Sequence, residues 1–184
     1  MPYAQYSESA LVVLFLASPI LFGIWLSRSM LLRRRGVEQP GYVALLEVAF
    51  IGGIIGLIGV SLFGRIGPDR ALDLNPFSGN LESTASRSQM IGNLLLPLPV
   101  GIIAAARWPR QRRLLTSAAS GFGVLLALET MQFVMGGRVA ALQDVLLGGT
   151  GWAIGSVLVS AFLRLRPAPA READERGERA ANPA

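Results

Sequence analysis

The stretch Glu129–Asp144, ETMQFVMGGRVAALQD, sets a carboxylate, an amide, a guanidinium and a second carboxylate between two long apolar runs. Glu129 and Gln132 stand one helical turn apart on a shared face. Gly136-Gly137 then breaks the run, Arg138 follows in the turn, and Asp144 opens the next run. Ionised side chains within an apolar span are costly unless a partner or water meets them. The stretch therefore reads as the corner of a helical hairpin, with its polar groups gathered at one end.

Composition identifies the solvent. Of 184 residues, 52% are hydrophobic and 16% charged, against about 25% charged in a soluble domain; the mean hydropathy is +0.48. Charge-free runs cover 9–27, 48–64, 88–106 and 145–163, and Glu129 alone interrupts 114–137. A helix crossing the roughly 30 Å hydrocarbon core needs about 20 such residues. The expected fold is all-α: a polytopic membrane protein with five transmembrane helices at about 10–31, 42–64, 89–106, 114–135 and 144–164. Residues 1–9 are expected to form a short extracytoplasmic segment, 10–165 one transmembrane domain, and 166–184 a disordered cytoplasmic tail of Arg, Glu, Ala and Pro.

Charge placement orients the chain. All 17 basic residues are arginine. Arg33, Arg34 and Arg35 follow the first span, Arg107, Arg110, Arg112 and Arg113 separate the third and fourth, and Arg164 and Arg166 follow the fifth. Such clusters mark cytoplasmic helix ends, so the N-terminus is expected outside and the C-terminus in the cytoplasm. The first span has no positive segment before it and does not read as a cleaved signal peptide. In the connection after the second span, Arg65, Arg70 and Arg87 are balanced by Asp69, Asp73 and Glu82; the last connection has Arg138 alone. Glu129, Gln132, Arg138 and Asp144 thus fall at the outer side. The arginines lie at helix ends rather than in one patch, and no nucleic-acid partner is expected.

With no cysteine and no histidine, the chain has no disulfide, no thiol chemistry, and neither the commonest general base nor the commonest metal ligand. No cofactor or metal is expected.

Small residues and prolines add geometry. Gly148, Gly151 and Gly155 fall on one helical face with Asp144, and Gly151-Trp-Ala-Ile-Gly155 has the GxxxG spacing of closely approaching membrane helices. That face is expected to pack on neighbours. Pro97 and Pro99 cannot donate to the carbonyls of Asn93 and Leu95. Near Asn93 the third span therefore carries freed backbone acceptors, either in a packed kink or lining a polar cavity with Glu129, Gln132 and Asp144. Gly52, Gly56 and Gly64 give the second span a smooth stripe for a neighbour, and Glu47, near its cytoplasmic end, is expected to snorkel or pair with a nearby arginine.

ETMQ followed by GGR, QDVLLGGTG and WAIG resembles the E-x-x-Q, R, D and G-x-x-x-G pattern of the VanZ-like membrane proteins. Upstream, Leu74-Asn75-Pro76-Phe77 is similar to that family's Asn-Pro-Phe loop, and Asn93, Pro99 and Gly101 to its Asn-(x)5-Pro-x-Gly helix start. The resemblance spans about 74–155. It departs where the family often has Asn four residues after the Asp, here Gly148, and where it often has Phe, here Pro97. The family takes its name from a protein linked to teicoplanin resistance. The resemblance implies a cell-envelope role in a bacterial plasma membrane and supplies no reaction.

Several readings of the polar stretch stand open. Glu129, Arg138 and Asp144 could lock the hairpin by pairing with one another. As a binding module, the corner would hold a membrane lipid, a cell-wall precursor or a lipoglycopeptide, with Arg138 at the rim, Glu129, Gln132 and Asn93 below, and Asp144 and Asn75 as further candidates. As an enzyme, Glu129 and Asp144 would serve as acid and base on an envelope lipid or glycan. As a small transporter or flippase, the chain would need a homo-oligomer to supply enough helices.

Overall fold

The structure, a computed structural model, describes the backbone of residues 3–62, 70–76, 84–136 and 138–165, and the side chains within these except at 3–17, 62, 70, 85 and 138. It is mostly helical. Among the described residues six α-helices run α1 (Tyr3–Arg34), α2 (Pro40–Leu62), α3 (Thr84–Leu95), α4 (Leu98–Arg107), α5 (Leu114–Met135) and α6 (Leu142–Leu165), with a 3-10 turn at Pro109–Arg112. Two short strands, β1 (Arg70–Asp73) and β2 (Arg138–Ala141), complete it. The tail at 166–184 lies outside the described residues.

Among the described residues, four helical stretches are long and apolar enough to cross a membrane: Pro40–Ser61, Ser86–Arg107, Leu114–Met135 and Leu142–Leu165. The second comprises α3 and α4 together. α1 begins at Tyr3, so the segment expected before the first span is already helical.

Local chemistry explains the boundaries. α2 begins on Pro40, whose missing N–H costs nothing in a first turn. α5 begins just after Arg113 and ends at Gly136, whose φ of 75° is the left-handed geometry that glycine adopts freely. The third span is broken at Leu96-Pro97. The Leu96 N–H still reaches Gly92 O at 2.9 Å, and helical bonding resumes from Gly101 N to Pro97 O at 3.0 Å. Between them, the two prolines deprive Asn93 O and Leu95 O of their ordinary donors.

The connectivity alternates. The α1–α2 and α4–α5 connections, with Arg33 to Arg35 and Arg110 to Arg113, share one end of the bundle; the strands share the other. β1 and β2 pair in parallel, Arg70 with Arg138 through Asp73 with Ala141, tying the α2–α3 connection to the α5–α6 connection. These strands were not expected: Arg138, read as a turn residue, opens β2, and α6 begins at Leu142 rather than at Asp144.

α6 is the central helix. In its apolar window 44% of residues are buried, against 17% for α2. Trp152 lies in the core with Leu57, Val100, Ala104 and Leu128, and Phe50 meets it edge-on at 6.0 Å between ring centroids. The glycine face of α6 does pack on neighbours. A Cβ built on Gly151 would lie 1.9 Å from Leu94 O, and one on Gly155 2.3 Å from Leu98 O. In return, a Cβ on Gly101 would lie 2.1 Å from Trp152 O. Each glycine therefore aims a Cα hydrogen at a carbonyl across the interface, a weak hydrogen bond that recurs where helices touch backbone to backbone. Among the described residues the stripe expected to serve α2 meets nothing at Gly52 and Gly56, and Gly53 instead has Val100 3.0 Å from a built Cβ. Gly64 lies outside the described residues. The packed face of α2 runs through Ala44, Val48 and Leu57, and Gly53 belongs to it.

Candidate functional site

The expected polar residues meet at the strand-bearing end. On α5, Glu129 and Gln132 are buried, at 8% and 4% exposure. Glu129 Oε2 accepts the Ala141 N–H at 3.1 Å. Ala141 is the last residue of β2 and stands immediately before α6, so this carboxylate sits at the positive end of the α6 dipole. Asp144, in the first turn of α6, is buried at 8% exposure. The Asn93 amide donates to its Oδ1 at 2.5 Å. The helix break thus presents Asn93, from the last turn of α3, to the first turn of α6. Two carboxylates of different helices converge on one helix start.

Gln132 differs from its neighbours. Its carboxamide oxygen is buried and has no hydrogen-bond partner among the described residues. An unpaired amide oxygen in a low-dielectric interior costs free energy on the order of 1–3 kcal/mol, and such groups call for an account.

The remaining candidates are placed differently. Asn75 is exposed two residues beyond β1, and its backbone N–H donates to Asp73 Oδ1 at 2.9 Å. The backbone of Arg138 pairs with that of Arg70; its side chain lies outside the described set. Phe77, of the Asn-Pro-Phe loop, lies outside the described residues as well.

Other polar groups were not anticipated. Gln143, beside Asp144, is buried at 6% exposure; its place in a first turn was the only sequence signal. Deeper, the Ser117 hydroxyl donates to Ser156 Oγ at 2.6 Å, and the Ser156 hydroxyl to Gly101 O at 3.1 Å. That chain stitches α5, α6 and α4. A lone serine in an apolar run gives no sign that it has a partner.

The two departures from the commoner VanZ-like residues lie side by side. A Cβ on Gly148 would lie 2.7 Å from Leu125 and 3.4 Å from Pro97, which is fully buried. An asparagine at 148 would not fit beside Leu125 as it stands.

The family model VanZ/LLP1 matches residues 13–164. The chain belongs to this family. The match reaches well beyond the motif-bearing 74–155 and takes in α2 and most of α1, so both lie within the VanZ-like unit. No curated protein and no solved structure matches the chain significantly. VanZ/LLP1 membership and the apolar helices make this a VanZ-like membrane protein, in the general context of antibiotic resistance.

Proposed function

We propose that this VanZ-like protein crosses the bacterial plasma membrane five times and carries a polar binding site on its extracytoplasmic side. The site takes the anionic head group of an envelope lipid or lipid-linked cell-wall precursor, or a lipid-anchored glycopeptide, and by engaging it contributes to lipoglycopeptide resistance. Arg138 supplies the positive charge at the rim; Asn93, Gln132, Glu129 and Asp144 hold the neutral and donor groups of the same ligand below.

The observation that supports this reading is the buried Gln132 oxygen, one turn from Glu129 and without a partner among the described residues. A purely structural lock would satisfy its own polar atoms, because in an apolar solvent each orphan weakens it. A site that completes itself with a ligand leaves such an atom waiting. The arginine clusters at the opposite end support the sidedness.

The test is lipid retention. The full chain and an Arg138→Ala variant are purified from the same membranes, and the bound lipids and lipid-linked saccharides are compared by mass spectrometry. The reading expects an anionic species enriched on the wild type and lost from the variant. Identical lipid profiles would sink it. In parallel, expression of wild type should raise tolerance to teicoplanin, and Glu129→Ala, Arg138→Ala and Asp144→Ala should abolish the shift.

A further inference from the structure

At the arginine-rich end, three helices converge on one carboxylate. Glu47 stands seven residues into α2, roughly 10 Å from the helix start at about 1.5 Å per residue. Its partner Arg107 is the last residue of the apolar span Ser86–Arg107, which brings the guanidinium side of the group to the end where head groups meet hydrocarbon. Arg28, near the end of α1, donates from Nε to Glu47 Oε2 at 2.5 Å and from Nη2 to Oε1 at 3.4 Å. Arg107, the last residue of α4, donates to Oε1 from Nη2 at 2.5 Å and from Nε at 3.0 Å. Arg107 also lies over the Trp108 ring, 5.4 Å from its centroid.

Two features of this arrangement exceed what a structural ion pair needs. First, two guanidiniums serve one carboxylate, so the group keeps one net positive charge at a depth where charge is costly. Second, each guanidinium has five N–H donors and commits two of them to Glu47. Among the described residues, neither arginine donates to any other acceptor. The exposures point the same way: the Glu47 side chain is 12% exposed, those of Arg28 and Arg107 37% and 25%. The Glu47 side chain is covered, and the two arginine side chains carry the accessible surface.

Planar forks held in place, in charge excess, at the level of lipid head groups match a phosphate. We infer that the converging ends of α1, α2 and α4 bind the phosphodiester head group of an anionic phospholipid. Arg28 and Arg107 are the donors, and Glu47 is the strut that fixes them. A lipid rather than a soluble phosphate fits the neighbouring surface, because Leu31, Tyr42 and Leu45 on the same helix ends are exposed at 40%, 54% and 54%, an apolar border that acyl chains cover. The site lies at the opposite end of the bundle from the polar cluster and stands independently of the function proposed for it.

Glu47 separates this inference from diffuse attraction. Attraction between a basic surface and anionic lipid follows net charge, so removing a negative charge strengthens it. A built site depends on the strut, so removing it weakens binding. The full chain is reconstituted in nanodiscs of equal phosphatidylcholine and phosphatidylglycerol, and the lipids retained on release are counted by native mass spectrometry. The wild type is expected to prefer phosphatidylglycerol by about tenfold or more, and Glu47→Gln to lose most of that preference. Arg28→Lys and Arg107→Lys, which keep the charge and remove the fork, are expected to lower it several-fold each. These lysine variants carry the test if Glu47→Gln does not fold. An unchanged or stronger preference in Glu47→Gln overturns the inference, as does an unmoved preference in both lysine variants. Displacement of phosphatidylglycerol by an equal concentration of inorganic phosphate overturns the assignment to lipid.

Discussion

Replacing Gly151 by alanine tests the central packing of the fold. The added methyl would lie 1.9 Å from Leu94 O, about 1.5 Å short of ordinary contact. The obstacle is backbone, not a flexible side chain, so α6 and the end of α3 must move apart. Overpacking of this kind costs about 1–3 kcal/mol and sometimes more. Separation also breaks the reciprocal Cα–H···O contacts, worth about 0.5–1 kcal/mol each. The control is Gly123→Ala on α5, where nothing lies within 4 Å of the new methyl. Both changes gain the same helix propensity, about 1 kcal/mol, which cancels in the comparison. Gly151→Ala should therefore be less stable than Gly123→Ala by about 2–4 kcal/mol. Unfolding in mixed micelles with graded denaturing detergent reads this, with the fluorescence of the three tryptophans, the buried Trp152 among them, as the reporter. A difference below about 0.5 kcal/mol, the scatter of neutral surface changes, would refute the interface.

The polar groups give further predictions. Asn93→Ala should cost about 1.5–3 kcal/mol in the same assay, because it removes the amide bonded to the buried Asp144 carboxylate; Asn93→Asp should cost more, since two carboxylates would meet, and equal stability of the two variants would contradict this. Ser156→Ala should cost about 1–2 kcal/mol by cutting the chain from Ser117 to Gly101 O. Adding Ser117→Ala to it should then cost less than Ser117→Ala does alone, a coupling that a double-mutant cycle measures.

How much of this was legible in the sequence differs from element to element. The fourth apolar run was read at 114–135, and α5 spans Leu114–Met135, because Arg113 and the Gly136 break punctuate it on both sides. The bond between Asn93 and Asp144 fits one of the two readings that the prolines of the third span leave open, and the glycines beside Asp144 point that face inward, but the sequence does not choose between them. The strands were not legible. RALD and RVAA are too short to show a period and are held by each other, across three helical segments. The packed face of α2 is not legible for a related reason. Its apolar residues surround the helix, so Gly52 with Gly56 and Gly53 with Leu57 were equal claimants, and only Val100 on α4 decides between them. Gln143 and the serine pair escaped because a hydrogen bond between distant helices leaves no trace in either helix alone.

The parallel pairing of β1 with β2 bears on how the protein is made. Arg70 leaves the ribosome long before Arg138, its partner in register. At about 5–20 residues per second the gap is several seconds. In that interval β2 is not yet made, and α3, α4 and α5 must fold so as to bring the chain back to the same end of the helix bundle. The sheet can close only on a chain whose intervening helices have packed in their proper order. It is a clasp that closes late, just ahead of α6, and a chain stalled before Val139 would display an open β1 edge.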